Sequence, residues 1–524
     1  MADRPRFYVT TAIDYPNSRP HIGTAFEKLG ADVQARYRRM EGYEVFFLMG
    51  NDENTIKVAR RAAELGQDPK AYCDAMAAEF QAVWRALDIS NDDFIQTSEP
   101  RHYQGCRQFI QRVYDNGYIY KDKYEGWYCE GCESFKTDTD VKEAGGVCPN
   151  HPTLTLVRRS EPCWYFALSK FQDKLLAYYE ENPDFIQPES RRNEVLNFVQ
   201  GEVKDINITR AGEPWGIRVP FDEQFTIYVW FDAVLNYATG VGYGTDAARF
   251  EKWWPADLHV IGKDITRFHC ALWPAMCMAA GFEPPRRVFA HGFVHVNKEK
   301  MSKTLGNVVE PLDIVGRSST DSFRYYFLRE CPFPADGEYS WERYRELHNA
   351  DLANNLGNLY SRVVKLMHQH FGGHLEATGD VEPGLVYADQ DTESLVNELE
   401  DYLESLQYNR ALQRIWERVL DPANKYVEDT KPWALAKSDK ARAKQVLYDL
   451  AEQIRVAAIL LKPFLPGTAL TLYASFNFPQ PWDEVRYEDV WVRPRQSDDL
   501  RLLAALEDGK VKPLFPRIAD PAGG

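Results

Sequence analysis

The sequence predicts an α/β protein: a Rossmann-type parallel sheet, split by a zinc-bearing connective insertion and followed by an α-helical bundle. Three observations predict it. A strand, a glycine turn, a helix and a second strand open the chain. That alternation stops near Gly117, where a cysteine–histidine quartet appears, and resumes after residue 225. Beyond Tyr344 every strong segment is helical, the order of an interrupted α/β domain succeeded by helices.

Taken in order, Phe7-Tyr8-Val9-Thr10-Thr11 is aromatic and β-branched, which predicts a buried strand. A turn with Pro16, Asn17, Ser18 and Pro20 follows. The next helix carries Phe26, Leu29, Val33, Tyr37 and Met40 at three- and four-residue steps, one apolar stripe. Val45 to Met49 is a second strand, ended by Gly50-Asn51-Asp52, and completes a βαβ unit. From Tyr118 to Gln224 come short aromatic strands, the quartet and two helical stretches. The sheet pattern returns at Thr226 to Trp230, Leu258 to Ile261 and Val288 to Val296, and Pro311 to Trp341 is a mixed connector. Leu395, Leu399, Leu403 and Leu406 then form one helical stripe, and Leu447, Leu450, Ile454, Ala457 and Leu461 another. The expected division is therefore a catalytic sheet domain over 1–117 and 226–295, an insertion over 118–225, and a lysine-loop connector over 296–345. A helical domain over 346–498 and a tail over 499–524 complete it.

A chain of 524 residues is too long for a single core. Its 44% hydrophobic and 27% charged residues, without low-complexity tracts, exclude disordered and fibrous classes. No apolar run approaches the ~20 residues of a membrane-spanning helix, so no membrane partner is expected. A strand-like run begins at once after Met1, leaving no room for a cleavable signal and predicting a cytoplasmic protein. Of nine cysteines, Cys73, Cys106, Cys163, Cys270, Cys277 and Cys331 are scattered through apolar or helical patterns, which suits reduced thiols. The net charge of −16 excludes indiscriminate nucleic-acid binding but leaves room for local basic patches such as Arg36, Arg38 and Arg39, or Arg191 and Arg192.

His21-Ile22-Gly23-Thr24 sits just before the first helix, whose unpaired N–H groups and partial positive charge favour phosphate. Gly23 permits close backbone approach, and a histidine there can donate to an oxygen whose charge grows in a transition state. Far downstream, Lys300-Met301-Ser302-Lys303-Thr304 places two ammonium groups three residues apart, able to clamp a triphosphate as pyrophosphate leaves. Alone, the first string is an ordinary turn and the second a solvated loop; in order on one sheet they point to ATP. Between them, Cys129-x2-Cys132, fifteen residues, and Cys148-x2-His151 have the spacing of two zinc knuckles, with Gly145-Gly146 and Pro149 supplying turn residues. Four protein ligands fill a tetrahedron, so this zinc should be structural.

The pair of motifs is similar to that of the class I aminoacyl-tRNA synthetases, and the details resemble the methionyl enzymes. Supporting stretches are Val229-Trp230-Phe231-Asp232-Ala233, Gly262-Lys263-Asp264-Ile265, Arg267-Phe268-His269, Trp273-Pro274-Ala275, Asn358-Leu359-Tyr360-Ser361-Arg362 and Lys431-Pro432-Trp433. The resemblance runs from about residue 7 to Leu514-Phe515-Pro516. It implies ligation of L-methionine to a methionine-accepting tRNA through methionyl-adenylate, with Mg2+-ATP consumed and AMP and pyrophosphate released. It implies a methionine pocket of Ile13, Tyr15, Trp230, Ala233, Val234, Tyr237, Ile265 and His269, with Asp52 on the ammonium group. It places Gly262 and Asp264 on adenosine, and His21, Gly23, Thr24 and the Lys300–Lys303 loop, Met301 and Ser302 included, on the phosphates. His21, Lys300 and Lys303 would carry the catalysis. The same resemblance implies the structural Zn2+ in the insertion, and Asn358, Arg362 and Trp433 as readers of the anticodon. With no appended tRNA-binding domain after Arg517, a monomer is expected.

Two positions depart from the family pattern. Its first motif ends in a second histidine where this chain has Thr24, and its Asp-Glu-His-Gly reads Asp52-Glu53-Asn54-Thr55 here. Losing one transition-state donor costs about 2.7–4 kcal/mol, although Thr24 retains a hydroxyl. The expectation is a working synthetase with a rewired phosphate site, the alternative being a weak or inactive paralogue that binds tRNA or nucleotide. A synthetase for isoleucine, valine or leucine would carry a larger insertion, and the cysteine enzyme an open zinc.

Overall fold

The computed structural model describes residues 4–129, 134–136, 141, 142, 144–148, 155–201, 203–212, 214–301, 306–376, 385, 392–490, 499–504, 506 and 510–519. At its centre lies a six-stranded, all-parallel sheet. Strand β1 (Arg6–Thr11) pairs with β2 (Glu44–Asn51) on one side and with the Leu258–Gly262 strand on the other. β3 (Asp93–Gln96) extends the first side, and Val288–His291 and then Ile186–Gln187 extend the second. The edge strand Ile186–Gln187 thus comes from within the stretch between residues 118 and 225. Apart from it, that stretch forms an antiparallel sheet in which Ile119–Cys129 pairs from Ile119 to Tyr128 with Val157–Phe166, and helices Gln172–Glu181 and Glu189–Gln200.

The side-chain alternation of the strands divides the core in two. Phe7, Val9, Phe47 and Met49 face helix α1 (Ile22–Met40) and a core that continues into the helical half of the chain. Tyr8, Phe46 and Leu48 face the opposite layer, with Phe109, Tyr237 and Trp273. The predicted stripe of α1 is buried, but so are Glu27, Lys28, Asp32 and Gln34, because the middle of the helix, residues 25–35, is covered on every side. The bundle and the connector helix Thr320–Glu330 grip it directly: Gln34 donates to the Leu403 carbonyl at 2.5 Å, Tyr408 to the Gly30 carbonyl at 2.7 Å, and Arg324 to Asp32 at 2.7 Å. Gly30 has no room for a side chain, since a Cβ would lie 2.1 Å from the Phe333 ring.

Three sequence expectations change here. Thr226 to Trp230 is not a strand of the main sheet: Phe225–Ile227 pairs antiparallel with Thr209–Ala211, and Val229–Ala233 turns into a helix. Short apolar runs fit either state, and tertiary context decided this one. Val288 to Val296 is broken at Gly292, which passes so near the Ala335 carbonyl that a Cβ would sit 2.0 Å away, and Val294–Val296 joins a different sheet. Arg36, Arg38 and Arg39 form no open basic patch; they pair with Asp32, Glu404 and Asp92 and fasten α1 to its surroundings. Arg191 pairs with Glu194, and Arg192 donates to the Tyr179 carbonyl. Among the described residues no helix is long and apolar enough to cross a membrane.

Candidate active site

In an open parallel sheet the crevice lies where neighbouring strands run on in opposite directions along the sheet, beyond their carboxyl ends. Here that point falls between β1 and the Leu258–Gly262 strand. A cavity of about 420 Å3 opens there, lined by residues from the exits of both strands, the start of α1 and the Val229–Thr239 helical turns.

His21 is the N-cap of α1: its Nδ1 accepts the Thr24 backbone N–H at 3.2 Å, with the Thr24 hydroxyl at 3.3 Å. Nδ1 is therefore an acceptor, and a neutral ring carries its proton on Nε2. A Cβ at Gly23 would come within 3.0 Å of the His21 ring and 3.1 Å of the Met301 methyl, so the glycine lets the two distant motifs touch. The Ile22 N–H also donates to the Val309 carbonyl at 3.0 Å, just past the lysine loop. Met301 arrives at the end of a hairpin between Val294–Val296 and Glu299–Lys300, whose Asn297 and Lys298 both have positive φ (51° and 68°), the pattern of a tight two-residue turn. The Lys300 side chain, Ser302 and Lys303 lie outside the described residues.

All nine residues expected to hold an amino acid line this cavity: Ile13, Tyr15, Asp52, Trp230, Ala233, Val234, Tyr237, Ile265 and His269. The Tyr15 and Trp230 rings meet edge-on at 6.4 Å, and Trp230 stacks on Phe268 at 3.9 Å. His269 Nδ1 bonds the Ile265 carbonyl at 3.0 Å and must be the donor, leaving Nε2 to accept from the Tyr237 hydroxyl at 2.7 Å. Burial lowers this imidazole to about 4, so it stays neutral. Asp52, 3% exposed, has a carboxylate oxygen with no hydrogen-bond partner, and burial first, then Asp232 and Glu53, push its carboxyl well above the usual range. Such a group in an aromatic chamber suits a cationic ligand end beside a polarizable apolar one. Gly262 ends its strand under the Asp264 carboxylate, 2.9 Å from where a Cβ would be.

Sequence reasoning missed a charged cluster on the same wall. Lys28, buried, donates to Asp14 and Glu27 at 2.8 Å each and to the Ala12 carbonyl at 3.0 Å, while Glu27 meets His291 at 3.0 Å. Burial raises Asp14 to about 6 against the pull of Lys28. Its only signal was a charge pair one turn beyond Thr24, which reads equally as a solvated face. Asn54 does not stand in for the absent imidazole. It is outside the cavity lining, and its amide donates to the Thr97 carbonyl at 3.0 Å and to Asp232 at 2.7 Å.

The profile described as "tRNA synthetases class I (M)" matches residues 7–154 and 152–364, and "Anticodon-binding domain of tRNA ligase" matches 387–507. The chain belongs to the methionyl class I tRNA synthetases. It is 43% identical over 490 residues to a methionine–tRNA ligase of Caldanaerobacter subterraneus subsp. tengcongensis, covering 92% of this chain and 76% of the relative. It is 40% identical to that of Clostridium acetobutylicum over 99% of this chain and 79% of the relative. The Mycobacterium tuberculosis methionyl-tRNA synthetase in complex with methionyl-adenylate superposes with a TM-score of 0.89 at 38% identity, covering 98% of this chain and 100% of that one.

Two further regions of this synthetase carry sequence-assigned residues. In the insertion, Cys129 and Cys148 are buried in one small cluster with Val141 and Leu156, and Gly145 and Gly146 take positive φ (70° and 92°) in the turn before Cys148. Cys132 and His151 lie outside the described residues. In the helical half, Asn358 opens the helix Asn358–Phe371, Arg362 on it pairs with Glu428, and Trp433 is 39% exposed on Pro432–Ser438. Trp433 is therefore not core packing.

Proposed function

We propose that the chain joins L-methionine to a methionine-accepting tRNA in two steps in this cavity. The methionine carboxylate attacks the α-phosphate of ATP in line, giving methionyl-adenylate and pyrophosphate, and the terminal ribose hydroxyl of the tRNA then takes the methionyl group, releasing AMP. No protein nucleophile is needed, so catalysis is positioning and charge stabilisation. Asp52 anchors the ammonium group; Tyr15, Trp230, Tyr237 and His269 enclose the thioether with Ile13, Ala233, Val234 and Ile265. Gly262 and Asp264 hold adenosine. His21, Lys300 and Lys303 stabilise the phosphates, with Mg2+ accompanying ATP, while Gly23, Thr24, Met301 and Ser302 shape their bed. The single observation that carries this reading is that Met301 meets the His21–Gly23 turn at a cavity also lined by the buried Asp52, one of whose carboxylate oxygens has no partner.

Cys129, Cys132, Cys148 and His151 are the proposed ligands of a structural Zn2+, which fits two buried thiols in one cluster. Asn358, Arg362 and Trp433 are the proposed anticodon contacts, an exposed aromatic for stacking beside edge-reading polar groups. The chain is expected to act as a monomer in the cytoplasm. Amino-acid-dependent ATP–pyrophosphate exchange tests the reading: methionine should support it, and isoleucine, leucine, valine and cysteine should not. Folded, zinc-loaded protein giving no exchange with methionine would overturn it.

A further inference from the structure

Lys28 stands one turn beyond Thr24 on α1 and does not line the cavity, yet the residues it holds do. It is fully buried, forms an ion pair with Asp14 at 2.8 Å, and donates to Glu27 at 2.8 Å and to the Ala12 carbonyl at 3.0 Å. Ala12 and Asp14 belong to the segment that leaves β1 at the crevice, whereas Glu27 rides on α1. Burial works against both carboxylates, and Lys28 is the strongest influence opposing it at each.

Each carboxylate leads to a different half of the site. On one side the Asp14 backbone is zipped to the end of β2: its N–H donates to the Gly50 carbonyl at 3.1 Å, and its carbonyl accepts from the Asp52 N–H at 2.8 Å. Asp14 therefore supports the turn that presents Asp52, the proposed anchor of the ammonium group. On the other side the second Glu27 oxygen meets His291 Nε2 at 3.0 Å, while His291 Nδ1 donates to the Gly292 carbonyl at 2.7 Å. That Nε2 would lie 3.9 Å from a Cβ at Gly262, so Glu27 and His291 back the strand end proposed to hold adenosine. The Ala12 N–H bonds the Val260 carbonyl at 3.1 Å on that same strand. One ammonium group is thus the meeting point of two chains of contacts, one ending at Asp52 and the other at Gly262.

We propose that Lys28 is a positioning residue that keeps the amino-acid and nucleotide halves of the site in register by holding Asp14 and Glu27 on one charge. In-line attack needs the methionine carboxylate and the α-phosphate, bound by groups on different elements, to be placed closely, and a misplacement of about 1 Å can cost about a hundredfold in rate. A ligand that settles one half fixes the shared ammonium group for the other, so part of the ordering is done once. Methionine and ATP should therefore tighten each other's binding through Lys28. This rests on the reading of Asp52, and of Gly262 with Asp264, as the two anchors.

The test is the dissociation constant of L-methioninol, which has the ammonium group and thioether but no carboxylate to activate. It is measured calorimetrically on the whole protein with and without saturating α,β-methylene-ATP. In wild type the nucleotide analogue should tighten methioninol about fivefold to 100-fold, and Lys28→Met should bring that ratio to within about twofold of unity. Because Lys28→Met leaves two buried carboxylates without their cation and can fail to fold, Asp14→Ala is the second variant. It cuts only the link towards Asp52, leaves Lys28 paired with Glu27, and should also lose most of the ratio. A direct contact of either side chain with one ligand, or a loss of stability alone, changes both constants together and leaves their ratio as it was. A wild-type ratio of unity overturns the proposal and needs no variant. So does a wild-type ratio retained in either folded variant. Failure of methioninol or of the nucleotide analogue to bind wild type at all overturns instead the assignment of the two subsites, and the inference with it.

Discussion

Because His21 Nδ1 accepts the Thr24 N–H at 3.2 Å, replacing His21 removes a helix cap as well as the proposed phosphate donor. The two losses can be separated. Asparagine caps a helix about as well as any residue, so His21→Asn should leave thermal stability close to wild type while slowing methionine-dependent exchange by about 10²–10³. His21→Ala should show the same kinetic loss and cost about 1 kcal/mol more in stability. Thermal denaturation beside pyrophosphate exchange reads both, and equal rates for the His21→Asn variant and the wild-type protein would remove His21 from the chemistry. The geometry also changes what Thr24 does. Its hydroxyl is turned to His21 at 3.3 Å, so it fixes the proton on the far ring nitrogen rather than replacing the missing imidazole.

At the scale of elements, α1 is the piece on which the site and the bundle both bear. Asp32, on its buried flank, bonds Arg324 at 2.7 Å, Arg36 at 2.8 Å and both the N–H and hydroxyl of Ser90 at 2.7 Å. Burial pushes its carboxyl up, but Arg36, Arg324 and Ser90 prevail and hold it at about 2. A lowered carboxyl contributes stability that is complete above its unfolded value near 4 and lost as pH falls toward 2, here about 2 kcal/mol. Arg324→Met should cost about 3–5 kcal/mol at pH 7 by breaking a fully buried ion pair, leaving Asp32 to Arg36 and Ser90 alone. The deficit against wild type should shrink between pH 4 and 2, as denaturant titrations at several pH values would show; a constant deficit would rule out the ion pair as its source. This clamp is invisible in the sequence. The stripe Phe26-Leu29-Val33-Tyr37-Met40 reveals a helix with one buried face, but Asp32, Gln34 and Arg36 read as its wet side, since the partners Arg324 and Leu403 are hundreds of positions away. The βαβ opening is legible because its periodicity is local, and the nine residues proposed for methionine come from short motifs that line one cavity. The Asp14–Lys28–Glu27–His291 cluster and the edge strand Ile186–Gln187 are not legible, because only folding brings their parts together.

For the molecule as a whole, the insertion is the part whose order should depend on metal. Elemental analysis is expected to find one zinc per chain, and chelation should raise amide hydrogen exchange across residues 119–166 while the central sheet stays protected. Uniform protection after metal loss would argue against a structural zinc. The remainder behaves differently, because the core that starts on β1 at Phe7 continues without a break to Leu461 in the bundle. Gly30, Gln34 and Asp32 make α1 a spindle with the His21–Gly23 turn and the cavity at one end and the helices of the bundle wound around its shaft. A severed N-terminal fragment would therefore expose that shaft to water and should not be recoverable as a small, independent activating enzyme. Any engineer wishing to graft this catalytic sheet elsewhere must first redesign the surface from which the helices were peeled.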